Sequence, residues 1–207
     1  MSMKKNKGVI IWILLIISVL ISLYFDSFLI KGISFLRNDI LYYFFFFITL
    51  VSSEIIIFFV LTALFLWREN KRRWIFPLWM CLAVSAVISF ILKITIRRLR
   101  PFQLGVVSLV SGMSEASHAV WNFSFPSSHA MFAFCAIPIL SEQFPKLKKF
   151  WIIFAVLIAF SRVYFGLHFA SDVIAGGLIG YLIGLIIVKA EKENKFGQRI
   201  YNRIFNK

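Results

Sequence analysis

Apolar residues in this chain run in long blocks, and the charged residues gather at the block ends. The first block extends from Val9 to about Phe25, behind Lys4, Lys5 and Lys7. Others follow from Ile40 to Trp67, Trp74 to about Lys93, Pro126 to about Leu140, Phe150 to about Tyr164, and Asp172 to Val188. A helix needs ~20 apolar residues to cross the hydrocarbon core of a bilayer. The pattern therefore predicts an all-α bundle of six transmembrane helices, the fourth being short and carrying Ser127, Ser128 and His129. The first block resembles a signal peptide, but Tyr24, Phe25 and Asp26 stand where a small-residue cleavage site belongs, so it reads as a retained helix.

Composition agrees. Of 207 residues 60% are hydrophobic and 18% aromatic, and the mean hydropathy is +0.86. Water cannot solvate that surface on a domain of this size, whereas lipid can. We expect one membrane domain over residues 1–207, with 189–207 as a basic cytoplasmic tail and no separate soluble module. Cys81 and Cys135 lie inside apolar runs and read as small buried hydrophobes, not a disulfide.

The net charge of +14 raises nucleic acid as a partner. No zinc-ligand spacing or RNA-binding aromatic motif accompanies it, and basic residues beside membrane spans are explained by the positive-inside bias. With the N-terminus cytoplasmic, the inner segments hold 16 of the 23 basic residues. Both termini are then on the cytoplasmic side of a plasma membrane. Lys93, Arg97, Arg98, Arg100 and Arg162 fall outside, clustered where the third and fifth helices emerge, and an anionic ligand is sufficient reason for that exception.

Three clusters in that region carry chemistry. Lys93 and Arg100, followed by Pro101, share a helical face if the helix continues to Arg100, with Arg97 near the same face. By itself this is an ordinary basic flank snorkelling to headgroups. Pro126-Ser127-Ser128-His129 opens an apolar helix whose first amides and hydroxyls can cradle an anion; by itself it is an ordinary cap. In Ser161-Arg162-x5-His168-x3-Asp172, the last two residues are a helical turn apart. The carboxylate can accept from one imidazole nitrogen and leave the other free to attack. Arg162 joins that face only if the helix breaks near Gly166.

Taken together and in this order, KITIRRLRP, PSSH and SRVYFGLHFASD resemble the signature motifs of the type 2 phosphatidic acid phosphatase (PAP2) superfamily. Ser128 departs from the glycine often found there. The resemblance implies a fold like that of the vanadate haloperoxidases and hydrolysis of a lipid phosphate or diphosphate without metal or other cofactor. Lys93, Arg100 and Arg162 would bind phosphate oxygens, and Ser127 with the amides of Ser128 and His129 would complete the cradle. His168 would form a phosphohistidine, His129 would protonate the leaving oxygen and then activate water, and Asp172 would orient His168. Undecaprenyl diphosphate is the first substrate implied, then phosphatidylglycerophosphate or phosphatidic acid. A lipid phosphotransferase and a non-catalytic lipid-phosphate carrier are the alternatives.

Glu54, mid-way along the second block, is a further site candidate, because carboxylates at membrane depth are costly. Its alternative is a polar contact shared with Ser52 and Ser53. Residues 102–125 form the one long loop, expected over the site, with Glu115 and His118 as lid or substrate candidates. Gly176, Gly180 and Gly184 recur every fourth residue and predict close helix packing within the bundle, a homodimer seam being the alternative.

Overall fold

The structure, a computed structural model, describes residues 2–110 and 123–205, with side chains from residue 17 onward. Glu115 and His118 lie outside the described residues, as do the side chains of Lys4, Lys5 and Lys7. Among the described residues there are eight α-helices and no strand. They are α1 (Ser2–Ser34), α2 (Asp39–Val51), α3 (Glu54–Trp67), α4 (Ile75–Ile96), α5 (Ser128–Gln143), α6 (Lys148–Tyr164), α7 (Ala170–Asn194) and α8 (Phe196–Phe205).

The first helix is longer than its apolar block, because nothing in the chain breaks it before Asn38, whose side chain accepts from Leu41 N at 2.9 Å and starts α2. The second block is not one straight span. It bends by 65° between α2 and α3. Ser52 ends the first half and donates back to Thr49 O, and Ser53 caps the second by accepting from Ile56 N. Glu54 follows in the first turn, where a helix dipole favours a carboxylate. Among the described residues three helices are long and apolar enough to cross a membrane, or four if the bent pair is one span. At 16 and 17 residues, α5 and α6 fall short by length.

Helix α5 is the hub, packed against α4, α6 and α7. A Cβ added at Gly176, Gly180 or Gly184 would lie 2.6, 2.2 or 2.3 Å from the carbonyl oxygens of Ser127, Met131 or Cys135. The glycine stripe of α7 is therefore consumed inside the molecule, backbone against backbone with α5. Around this pair lies the main core of Leu78, Cys81, Met131, Ile139 and Ile158. Beyond α7, Lys195 turns the chain into α8, and the Glu191 carboxylate accepts from the amides of Gly197 and Gln198.

Candidate active site

At one end of the bundle the C-termini of α4 and α6 meet the N-termini of α5 and α7. They enclose a cavity of 310 Å³ lined by Lys93, Arg100, Ser128, His129, Arg162 and His168, with Glu54, Ala86, Ser89, Phe90 and Phe132 completing the wall. Residues from all three motifs thus share one cavity. Ser127 and Asp172 are fully buried but do not line it.

The break expected near Gly166 is present: α6 ends at Tyr164, Gly166 takes φ 77°, and α7 begins at Ala170. The carbonyl of Arg162 accepts from the amides of Leu167 and His168 at 3.1 and 3.2 Å, folding the loop back so that both side chains reach the cavity. His168 Nδ1 lies 2.7 Å from the carbonyl oxygen of Ser124. A carbonyl can only accept, so Nδ1 carries the proton and Nε2 keeps its lone pair.

Asp172 is not the direct partner expected for that imidazole. Its Oδ2 stands 3.8 Å from Nδ1, beyond hydrogen-bond range. The carboxylate instead accepts from Ser124 Oγ at 2.5 Å, from Phe169 N at 2.8 Å and from Arg98 at 2.8 Å. It holds the residue that holds the histidine. The reason is that Asp172 sits in the first turn of α7, where the N-terminal amide of Phe169 captures it.

The first cluster also differs from its helical expectation. α4 stops at Ile96, and Arg97 adopts a left-handed conformation with φ 52°. Arg97 is exposed, donates to Ile94 O and does not line the cavity, so it leaves the candidate site. Lys93 is buried and donates to Phe123 O at 2.6 Å, while Arg100 arrives from the following loop and donates to Leu167 O at 3.2 Å. The buried Arg162 Nε and Ser127 Oγ have no partner among the described residues. Buried polar atoms are ordinarily satisfied, so Arg162 Nε, on a residue that lines the cavity, is available to an incoming acceptor, whereas Ser127 does not line the cavity.

Charge is concentrated here. Lys93, Arg100 and Arg162 face one lining carboxylate, Glu54, which lies within the field of Lys93 and Arg162. Burial pushes Arg100 down to about 10. Burial, then the charges of Arg100, Lys93 and Arg162, push His168 well below the usual imidazole value. The amides at the start of α5 add positive potential aimed at the same space. Beside this cavity lies an apolar groove of 340 Å³ between α3 and α4, lined by Ile55, Phe58, Phe59 and Leu82 and sharing Glu54, Ala86 and Phe132 with it. Among the described residues no group of three or more His, Cys, Asp or Glu is placed to hold a metal ion.

Three residues around the site escaped sequence reasoning. Ser124 acts through its backbone carbonyl, for which no residue pattern exists. Arg98 was one of several basic residues in its cluster. Asp26 had a signal, a carboxylate within an apolar helix, and it lies buried against Arg98 and Ser171.

The sequence model of the PAP2 superfamily matches residues 74–196. The undecaprenyl-diphosphatase of Sulfolobus acidocaldarius is 32% identical over 134 residues, 63% of this chain and 62% of that protein. Phosphatidylglycerophosphatase B of Bacillus subtilis is 40% identical over 91 residues, 38% of this chain and 44% of that one. The chain thus spans less than two thirds of the length of either relative. A crystal structure of a transmembrane PAP2-type phosphatidylglycerolphosphate phosphatase from Bacillus subtilis aligns with a TM-score of 0.68, covering 89% of this chain and 97% of that one at 24% identity. The fold is therefore shared.

Proposed function

The chain belongs to the PAP2 superfamily, and from that premise we propose that it is a membrane phosphatase hydrolysing a lipid phosphate or diphosphate through a phosphohistidine. The observation that carries this reading is the single cavity in which three cations and two imidazoles converge beside an apolar groove. A phosphoryl group suits the cations, and an acyl or prenyl chain suits the groove between α3 and α4.

In the proposed reaction the phosphoryl oxygens sit among Lys93, Arg100, Arg162 and the first amides of α5. Arginine suits the task because its planar fork binds two oxygens at once. His168 Nε2 forms a bond to phosphorus as the bond to the leaving oxygen breaks, and His129 gives that oxygen a proton. His129 then takes a proton from water, the oxygen of water bonds to phosphorus, and the P–N bond breaks to release phosphate. The three fixed cations offset the charge on the transferring group, so the reading needs no metal. Ser128, which lines the cavity, supplies a further hydroxyl to the cradle.

We further propose six spans, α2 with α3 counting as one, both termini cytoplasmic and the site at the outer face of the plasma membrane. The basic segment 189–207 then lies on the inner side, and residues 1–207 act as one domain. Undecaprenyl diphosphate is the first substrate to test, on the sequence resemblance and on what the Sulfolobus relative is named for. The test is phosphate release by the purified chain from undecaprenyl diphosphate, phosphatidylglycerophosphate and phosphatidic acid, with chelator present. Turnover of at least one, undiminished by chelator, is expected. Loss of all turnover in chelator would overturn the metal-free reading, and transfer of phosphate to lipid in place of water would favour a phosphotransferase.

A further inference from the structure

Asp26 belongs to α1, far in sequence from the motifs, yet it is buried against Arg98 and Ser171. Its carboxylate accepts from Arg98 Nη2 at 2.7 Å and from the amide of Ser171 at 2.9 Å, and Ser171 Oγ also donates to it. Arg98 turns its other nitrogen, Nη1, to Ser171 Oγ at 2.6 Å and to Asp172 Oδ1 at 2.8 Å, with the Phe169 ring 4.2 Å from its guanidinium carbon. One guanidinium is thus shared between two carboxylates. The second of them, Asp172, holds Ser124 Oγ, and the Ser124 carbonyl holds His168 Nδ1. The chain of contacts runs from Asp26 through Arg98, Asp172 and Ser124 to the nitrogen opposite the nucleophile.

We propose that Asp26 and Arg98 are positioning residues for His168, fixing Asp172 in place and setting how much of its negative charge the imidazole feels. The inference rests on the phosphohistidine reading given above. Arg98 alone would largely cancel Asp172; Asp26 offsets Arg98 and returns a net negative field to the far side of the ring. That field matters because positive charge develops on the imidazole as the P–N bond forms.

His168 sits among other charges, and the inference concerns only the pair that does not touch the cavity. Lys93 from α4, Arg100 from the following loop and Arg162 from α6 face it with positive charge, and His129 of α5 adds a second imidazole. Glu54 of α3 lies across the cavity, and Arg37 reaches the same loop by donating to Tyr164 O. None of these changes in the variants below.

The test is the pH dependence of kcat and kcat/KM on one lipid phosphate, so that the titration of the substrate is common to every protein. Asp26→Asn removes one negative charge, and the acid limb of kcat/KM should move down by about half a pH unit. Arg98→Gln removes one positive charge, and the limb should move up by a similar amount. Arg98→Lys keeps the charge and should keep the limb, and the double variant Asp26→Asn/Arg98→Gln should return near the wild type. In both single neutralising variants kcat falls while KM holds, because the phosphate-facing cations are untouched. Opposite shifts are not produced by a role in stability alone. Limbs that coincide in all variants, or loss of fold in both neutralising variants, would overturn the inference. A wild type inactive on every lipid phosphate would instead sink the functional reading, and with it the inference that rests on it.

Discussion

Replacing Gly180 by alanine would set a methyl carbon 2.2 Å from the carbonyl oxygen of Met131 and 3.0 Å from its Cα. Real Cβ atoms essentially never come within 3.0 Å of such neighbours, and backbone has no side chain to swing aside. Helices α5 and α7 must then part by roughly 1 Å. Overpacking of this kind costs up to about 3 kcal/mol, and the helix propensity gained by alanine returns about 1 kcal/mol, leaving a net loss of about 2 kcal/mol. The consequence reaches the site, because α5 carries Ser128 and His129 while α7 carries Asp172. A shift of about 1 Å between the two sides of a reacting geometry can lower turnover about 100-fold.

Two controls separate this from glycine replacement in general. A Cβ at Gly32 meets nothing within 4 Å, so Gly32→Ala should be neutral or slightly stabilising with full activity. At Gly177 the nearest atom is in the Phe134 side chain at 3.3 Å, which can turn, so a mild effect is expected. Thermal unfolding in detergent and kcat/KM on a lipid phosphate measure both quantities. Wild-type unfolding and wild-type turnover in Gly180→Ala would refute the packing argument.

Further outcomes follow from the cavity. Because burial and three cations lower the His168 pKa, its imidazole stays neutral and nucleophilic below the ordinary value of 6.5, and is lost only as pH falls through the lowered pKa. The acid limb of kcat/KM, measured from pH 4 to 8 in about half-unit steps, should therefore lie below 6.5; a limb above it would contradict the cavity's electrostatics. Arg97→Ala should leave turnover near the wild type, since that side chain is exposed and turned back to Ile94 O. Arg100→Ala should cost at least about 100-fold in kcat/KM, and equal losses in the two variants would refute the separation of their roles.

What the sequence made legible was local. Each motif lies within a dozen residues or so, and the cavity gathers Lys93, Arg100, Ser128, His129, Arg162 and His168 from all three. The break after Arg162 was legible as well, because no continuous helix could serve both that residue and His168. Longer-range decisions were not. Nothing in KITIRRLRP before the proline forbids helix, so ending α4 at Ile96 depends on where Arg98 finds its partners, Asp26 and Asp172. The bend at Ser52 and Ser53 was hidden because two serines hardly dent a long apolar block, although Ser-Ser-Glu is a serviceable helix start. The link from Asp172 to His168 was misread as direct because a spacing of four residues predicts proximity, not which of several nearby donors takes the carboxylate.

If an imidazole takes the phosphoryl group, that group must reside briefly on His168. The direct measurement is to mix the enzyme with lipid substrate labelled in the terminal phosphate, quench within milliseconds, digest and locate the label by mass. The geometry predicts an acid-labile, base-stable phosphate on the peptide bearing His168, absent in His168→Ala. Label on another residue, or full turnover in His168→Ala, would contradict it.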